Sequence, residues 1–220
     1  MSDRTTSAAS AVAAALDWAY ARATSVVPGL GSAEDLAKRH LSKAGNSEDA
    51  IDDLIRWQTA FAGAAGAVAN LGGLITLPIA LPASMASTLL IQLRMITAIA
   101  ILRGYDPADD RVRAASFMCL AGSTGSQAMG EAGMTIGSRL LSQASSVAIA
   151  RIKQAVGARL AARAGAGGLA RFVPLVGGLV GGGIDAAVTR AVGAVAKQYF
   201  PPLAQPDNGT GRVIDGEPLA

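Results

Sequence analysis

Arg94 and Asp185 are charged residues set deep in apolar sequence, and a pair between them is the first chemistry this chain offers. Asp185 and Thr189 stand one helical turn apart near the end of a glycine-rich run. Arg94 interrupts a stretch that is otherwise apolar to Leu102. A buried carboxylate or guanidinium requires a partner. Arg94 and Asp185 are therefore expected to pair inside the protein and fix its register. The alternative is two independent surface charges at helix ends.

Groups suited to catalysis are few. His40 is the only histidine; it follows Lys38 and Arg39 and is expected to be exposed. Cys119 sits in Phe117-Met118-Cys119-Leu120 with no histidine beside it, which predicts an inert thiol. One cysteine allows no disulfide within a monomer and is compatible with a reducing compartment. Glu48, Asp49, Asp52 and Asp53 are the only carboxylates clustered at helical spacing. A helix N-terminus explains them better than a metal does, because acids there complement the positive end of the helix dipole. Ser123-Thr124-Gly125-Ser126 lacks the context of a nucleophile elbow. Pro174 to Gly183 has no following Lys-Ser or Lys-Thr, and Gly165-Ala166-Gly167-Gly168 follows no strand pattern, so neither is a phosphate or dinucleotide loop. No catalytic residue, metal or cofactor is expected, and a non-enzymatic protein is the first reading.

The elements that must position these residues all read as helix. Aromatic residues make up only 4%, too few for a β-barrel core or a base-stacking surface, so no nucleic-acid partner is expected. Charged residues make up 16%, against about 25% in ordinary soluble chains, so much of the surface must be buried, partnered or in lipid. Abundant Ala and Gly favour closely packed helices. The expected fold is an all-α compact bundle around an apolar central hairpin broken by Gly and Pro.

Along the chain, an Ala-rich helix is expected over 8–23, followed by a break at Val27-Pro28-Gly29-Leu30-Gly31. Its apolar run is weak and Asp17 follows, so it reads as an ordinary helix, not a signal peptide. Ser32 with Asp35 forms a capping box for a helix to Lys43, and Gly45 ends it. The next helix starts at Asn46-Ser47 and runs to about Leu71, where Gly72-Gly73 stops it. Pro82 opens a helix to Leu102, closed by Arg103-Gly104-Tyr105. Asp106-Pro107 predicts a further helix starting there and running to about Ala121. A long helix over 136–164 and a last one ending near Phe200 complete the bundle. Residues 1–45 are read as N-terminal helices, 46–202 as the main helical domain, and 203–220 as a disordered tail.

Gly178, Gly182 and Gly193 belong to a stripe of small residues on the last helix, spaced three or four apart through Ala186, Thr189 and Ala196. Such a stripe lets another backbone approach closely, in a membrane or in a soluble bundle.

No charged residue occurs from Trp57 to Leu93, and the apolar stretch continues past Arg94 to Leu102, a length that could cross a bilayer twice. As a span, 81–102 gains about −4 kcal/mol from its strong apolar residues, while Arg94 costs about +2.5 to +3.5. The sum is near zero, marginal for an inserted helix. Net charge is +3, and the segment between Glu131 and Asp185 holds six basic residues and no acid. That segment suits an anionic membrane surface or lipid, or is a solvated helix face. Its charges do not fall on one narrow face.

The stretch from Asn70 through Gly72-Gly73, Thr76, Pro78 and Pro82, on through Gln92-Leu93-Arg94-Met95 to Gly104-Tyr105-Asp106, resembles the core motif of the EcsC family. The run Pro174 to Gly183 with Asp185, Thr189, Gly193, Ala196-Lys197 and Phe200 is similar to that family's closing motif. The two motifs agree in order and spacing and cover most of 51–200. The resemblance implies a bacterial protein related to one encoded beside an ABC transporter linked to secretion and competence. It supplies no catalytic residues. Asn70, Thr76, Arg94, Asp185 and Thr189 are polar positions within the matching motifs, and they form the candidate ligand site or polar centre. The expected function is an accessory to transport or secretion that binds lipid or another apolar ligand. It would be cytoplasmic or peripheral on the cytoplasmic face of the inner membrane. An integral membrane hairpin and a hydrolase with an unrecognised site are the alternatives.

Overall fold

The computed structural model describes residues 2–63, 83–122 and 178–203. Among them six helices form: α1 Ser2–Thr24, α2 Ala33–Ala44, α3 Ser47–Gly63, α4 Ala83–Leu102, α5 Asp110–Gly122 and α6 Gly178–Tyr199. No strand occurs among the described residues, and the all-α expectation holds. The Gly72-Gly73 and Pro78 breaks of the central hairpin, the tail beyond 203 and the basic segment from Arg139 to Arg171 lie outside the described residues.

Local sequence sets the boundaries of α2 at both ends. Ser32 is extended at φ −90° and ψ 174°, and its Oγ accepts from Asp35 N at 3.1 Å. Asp35 Oδ2 accepts in return from Ser32 N at 2.8 Å, closing the capping box. The bond from Ser32 N, and then a second from Ser32 Oγ to Asp35 Oδ2 at 2.9 Å, hold the Asp35 carboxyl below its ordinary range. Gly45 ends the helix in the left-handed region at φ 81°, with its N–H on Leu41 O. Asn46 then caps α3, accepting from Asp49 N at 2.9 Å. The α2–α3 link is thus two residues long, and the helices pack side by side.

α5 begins later than Asp106-Pro107 suggests. Asp106 Oδ1 accepts from Ala108 N at 2.8 Å, and Asp106 O accepts from Asp109 N at 3.1 Å. These bonds make residues 106–109 a turn instead of a first helical turn. Asp109 is the N-cap: its Oδ1 accepts from Arg111 N and its carbonyl from Arg113 N. The turn frees Pro107 O to accept from Tyr20 Oη at 2.9 Å, which ties α1 to this corner. Burial pushes the Tyr20 hydroxyl well up, so it serves as a donor throughout the physiological range.

α4 sits at the centre. It touches each of the other five helices. Leu90, Leu93, Met95, Ile96, Ala98, Ile99 and Ala100 are buried around its circumference. A helix with no polar face is what such a central position requires. Among the described residues no helix is long and apolar enough to cross a membrane. Cys119 on α5 is fully buried, and desolvation raises its thiol well above the ordinary range.

α6 closes the bundle against α3. At Gly193 an added Cβ would lie 2.7 Å from Ile55 Cγ1 and 3.0 Å from Cδ1, inside any normal contact. Chain crossing there depends on the missing side chain. Gly193→Ala gains about 1 kcal/mol of helix propensity but overpacks a branched neighbour, at about 1–3 kcal/mol. Urea unfolding of Gly193→Ala is therefore expected to show net destabilisation. In an Ile55→Ala background the same substitution is expected to stabilise. Equal effects in both backgrounds would mean that the two residues do not meet.

Candidate functional site

Two polar features stand out in the described part, one inside the bundle and one at its surface. The interior feature is Arg94. Its side chain is 3% exposed, and its Nε donates to Ser32 O at 3.3 Å. Its Nη2 donates to Leu30 O. Both acceptors belong to the turn between α1 and α2. Gly29 and Gly31 take φ +79° and +70° there, a region that L side chains rarely adopt. Gly31 N and Leu30 N both donate to Val27 O, so the turn is closed on itself while Leu30 O and Ser32 O face Arg94. Burial, then the nearby positive charge of Arg39, lowers the Arg94 pKa to about 10, with Asp35 acting in the opposite sense. Arg94 is therefore charged at neutral pH.

The polar centre suggested by the sequence is only partly described. Arg94 lies on α4 and Thr189, also buried, on α6, two helices that pack together. Asn70 and Thr76 lie outside the described residues, as does the side chain of Asp185. The guanidinium engages carbonyl oxygens of the α1–α2 turn; its expected pairing with Asp185 falls outside what is described. Gly178 and Gly182 lie in the first turns of α6, and Gly193 is where α6 crosses α3.

The surface feature is a cleft of about 590 Å³ between α2 and α3. Arg39, His40 and Lys43 line it from α2, and Asp53, Arg56 and Trp57 from α3. His40 is 3% exposed, against the expectation of a solvent-facing side chain. The signal was in the spacing: Ala33, Leu36, Ala37 and His40 form the buried stripe of α2. Its basic neighbours Lys38 and Arg39 belong to the outer face. His40 Nδ1 donates to Asp53 Oδ2 at 2.8 Å, fixing the ring. Trp57 remains 44% exposed, with its ring stacked on Phe61 at 5.4 Å and 6.1 Å from the His40 ring.

The acids that begin α3 do more than complement the helix dipole. Glu48 accepts from Arg103 Nη2 at 3.0 Å. Lys197 of α6 reaches Asp52 at 2.6 Å and Glu48 at 3.7 Å. Asp53 holds His40. Glu48 and Asp52, one turn apart, thus share Lys197 while Asp53 faces α2, and among the described residues no three metal-ligating side chains converge. Arg103 O also accepts from Leu203 N, and Tyr105 Oη donates to Pro201 O at 2.8 Å, so the end of α6 is fastened to the α4–α5 corner.

The model of the EcsC protein family matches residues 5–201. The chain belongs to the EcsC family. The match extends beyond 51–200, the region of the two motifs, and takes in α1 and α2. In this EcsC protein the turn between those helices supplies the carbonyls that receive Arg94, and α2 supplies one wall of the surface cleft. No curated protein and no solved structure matches the chain.

Removing Arg94 takes its donor from Leu30 O, leaves Ser32 O with only Leu36 N, and opens a gap in the centre. Arg94→Ala is expected to lower the unfolding free energy by about 3 kcal/mol, the scale of lost hydrogen bonds to a charged group. Arg94→Lys is expected to recover little of it, since an ammonium cannot reproduce the planar two-nitrogen fork. Chemical denaturation of both variants checks this; full recovery by Lys would mean that charge alone matters.

Proposed function

We propose that this EcsC protein is a non-enzymatic accessory that works at a membrane surface, bound peripherally to the cytoplasmic face, where it engages lipid in support of transport or secretion. The observation that carries this reading is the Trp57–Phe61 pair. A stacked aromatic pair with an exposed indole stands where α3 enters the charge-free run 57–93. Indole rings favour the headgroup layer, where one end is apolar and the other wet. Arg39, Lys43 and Arg56 beside it supply attraction to anionic lipid. The burial of α4 from Leu90 to Leu102 against its neighbours favours a peripheral mode over an inserted hairpin. The ABC transporter implied by the family resemblance would be met at the same surface.

Catalysis has less support. The cleft presents His40 and Asp53, but among the described residues that line it there is no serine, threonine or cysteine that the histidine could activate.

Fractionation of cells expressing the full chain, without detergent, tests the reading. The protein is expected in the membrane pellet and is expected to leave it on washing with high salt and carbonate. Retention through both washes would establish insertion and overturn the peripheral mode. Recovery in the first supernatant alone would remove the membrane from its function.

A further inference from the structure

We propose that the α2–α3 cleft is a binding site for the phosphate of an anionic phospholipid headgroup, with Arg39, Lys43 and Arg56 as its ligands and Trp57 as the shelf for the adjoining glycerol and methylene groups. This assignment rests on the membrane-surface reading and names the residues through which it would act.

Geometry supplies the first support. Arg39 and Lys43 are one turn apart on α2, and Arg56 faces them from α3 across a space of about 590 Å³. That volume lies within the range of small-molecule sites. Three cations approaching from two helices can divide the several oxygens of a phosphate among them, and guanidinium forks match that geometry.

Charge supplies the second. The three cations of the cleft outnumber its two acids, and both acids are turned to other donors. Asp53 accepts from His40 at 2.8 Å, and Asp49 accepts from Asn46 Nδ2 at 2.7 Å. Among the described residues Arg39 and Lys43 enter no ion pair, and Arg56 approaches Asp53 only to 3.7 Å with its side chain 78% exposed. By contrast Lys38, on the neighbouring face of α2, is held by Glu34 at 2.6 Å. Arg39 also acts unfavourably on buried Arg94. An anion beside Arg39 would offset that repulsion.

Rigidity supplies the third. The part-buried His40–Asp53 bond joins the two walls of the cleft and sets their spacing. Phe61 covers one face of Trp57 and holds the indole in place. The walls are ordered before any ligand arrives, which lowers the entropic cost of binding. A lipid is favoured over a free phosphate because the shelf leads directly into the charge-free run after Trp57.

The test is sedimentation of the full chain with phosphatidylcholine vesicles and with equimolar phosphatidylcholine–phosphatidylglycerol vesicles. The wild type is compared with Arg39→Ala/Lys43→Ala and with a control, Arg22→Ala/Lys38→Ala, that removes the same charge elsewhere. Calorimetric titration with inorganic phosphate is the second arm. Helix content by circular dichroism confirms that each variant is folded. Wild type is expected to bind only the anionic vesicles. The cleft variant is expected to bind them about thirtyfold more weakly, the value of two basic residues at an anionic surface. The control is expected to lose much less.

Equal loss in both variants, or none in the cleft variant, would overturn the cleft while leaving membrane association intact. Wild type binding neither vesicle would overturn the membrane reading as well. If it then bound inorganic phosphate with loss in the cleft variant, the ligand would be a soluble phosphate and the lipid source would be wrong.

Discussion

A charged guanidinium at the centre of the most apolar helix is the constraint around which this structure is arranged. Arg94 cannot be buried in α4 unless its protons find acceptors. They are supplied by backbone carbonyls of Leu30 and Ser32. That solution needs the α1–α2 turn to lie over α4 and to aim its oxygens inward. Two glycines with positive φ permit the turn, and the Ser32–Asp35 capping box launches α2 from it. The direction of α2 then determines where His40, Arg39 and Lys43 stand. A two-residue link brings α3 back alongside, placing Asp53 under His40 and Trp57 at the rim. The interior charge and the surface cleft are thus connected through one helix.

The same arrangement bears on the long apolar run. Its second half, from Leu90 onward, is already occupied by contacts with five helices. Dispersion and burial at those contacts stabilise the bundle far more than the ion pairs that decorate it. The Arg103–Glu48–Lys197–Asp52 group contributes less to stability than to alignment. It links the ends of α4 and α6 to the first turn of α3, in the same register that Gly193 permits further along the crossing. An inserted hairpin would have to exchange those contacts for lipid and carry Arg94 with it.

What the sequence revealed depended on whether the deciding interaction was local. Ser32, Asp35 and Gly45 mark both ends of α2 because capping acts over three or four residues. The apolar circumference of α4 likewise points to a central helix. Asp106-Pro107 misplaced the start of α5, since an aspartate at the head of a turn and one at the head of a helix look alike; a hydrogen bond from Tyr20 selects the turn. The charged neighbours of His40 suggest an exposed side chain, but its four-residue spacing from Leu36 puts it on the buried stripe of α2. The partners of Arg94 were invisible because they are backbone carbonyls, carried by every residue. The cleft is not legible in the sequence for a related reason: its basic and aromatic members lie on two helices and become a group only when α2 and α3 fold together. Asn70, Thr76 and the Asp185 side chain fall outside the described residues, so of the five motif positions only Arg94 and Thr189 are described with their surroundings.

Backbone hydrogen exchange along α4, on the full chain in buffer free of detergent and lipid, tests most directly whether this helix is a protein core pinned by Arg94. Amides from about Leu90 to Leu102 are expected to exchange only through global unfolding, with the slowest rates near Arg94. Rapid exchange there, slowed only when vesicles are added, would contradict it and show that α4 finds its burial in lipid.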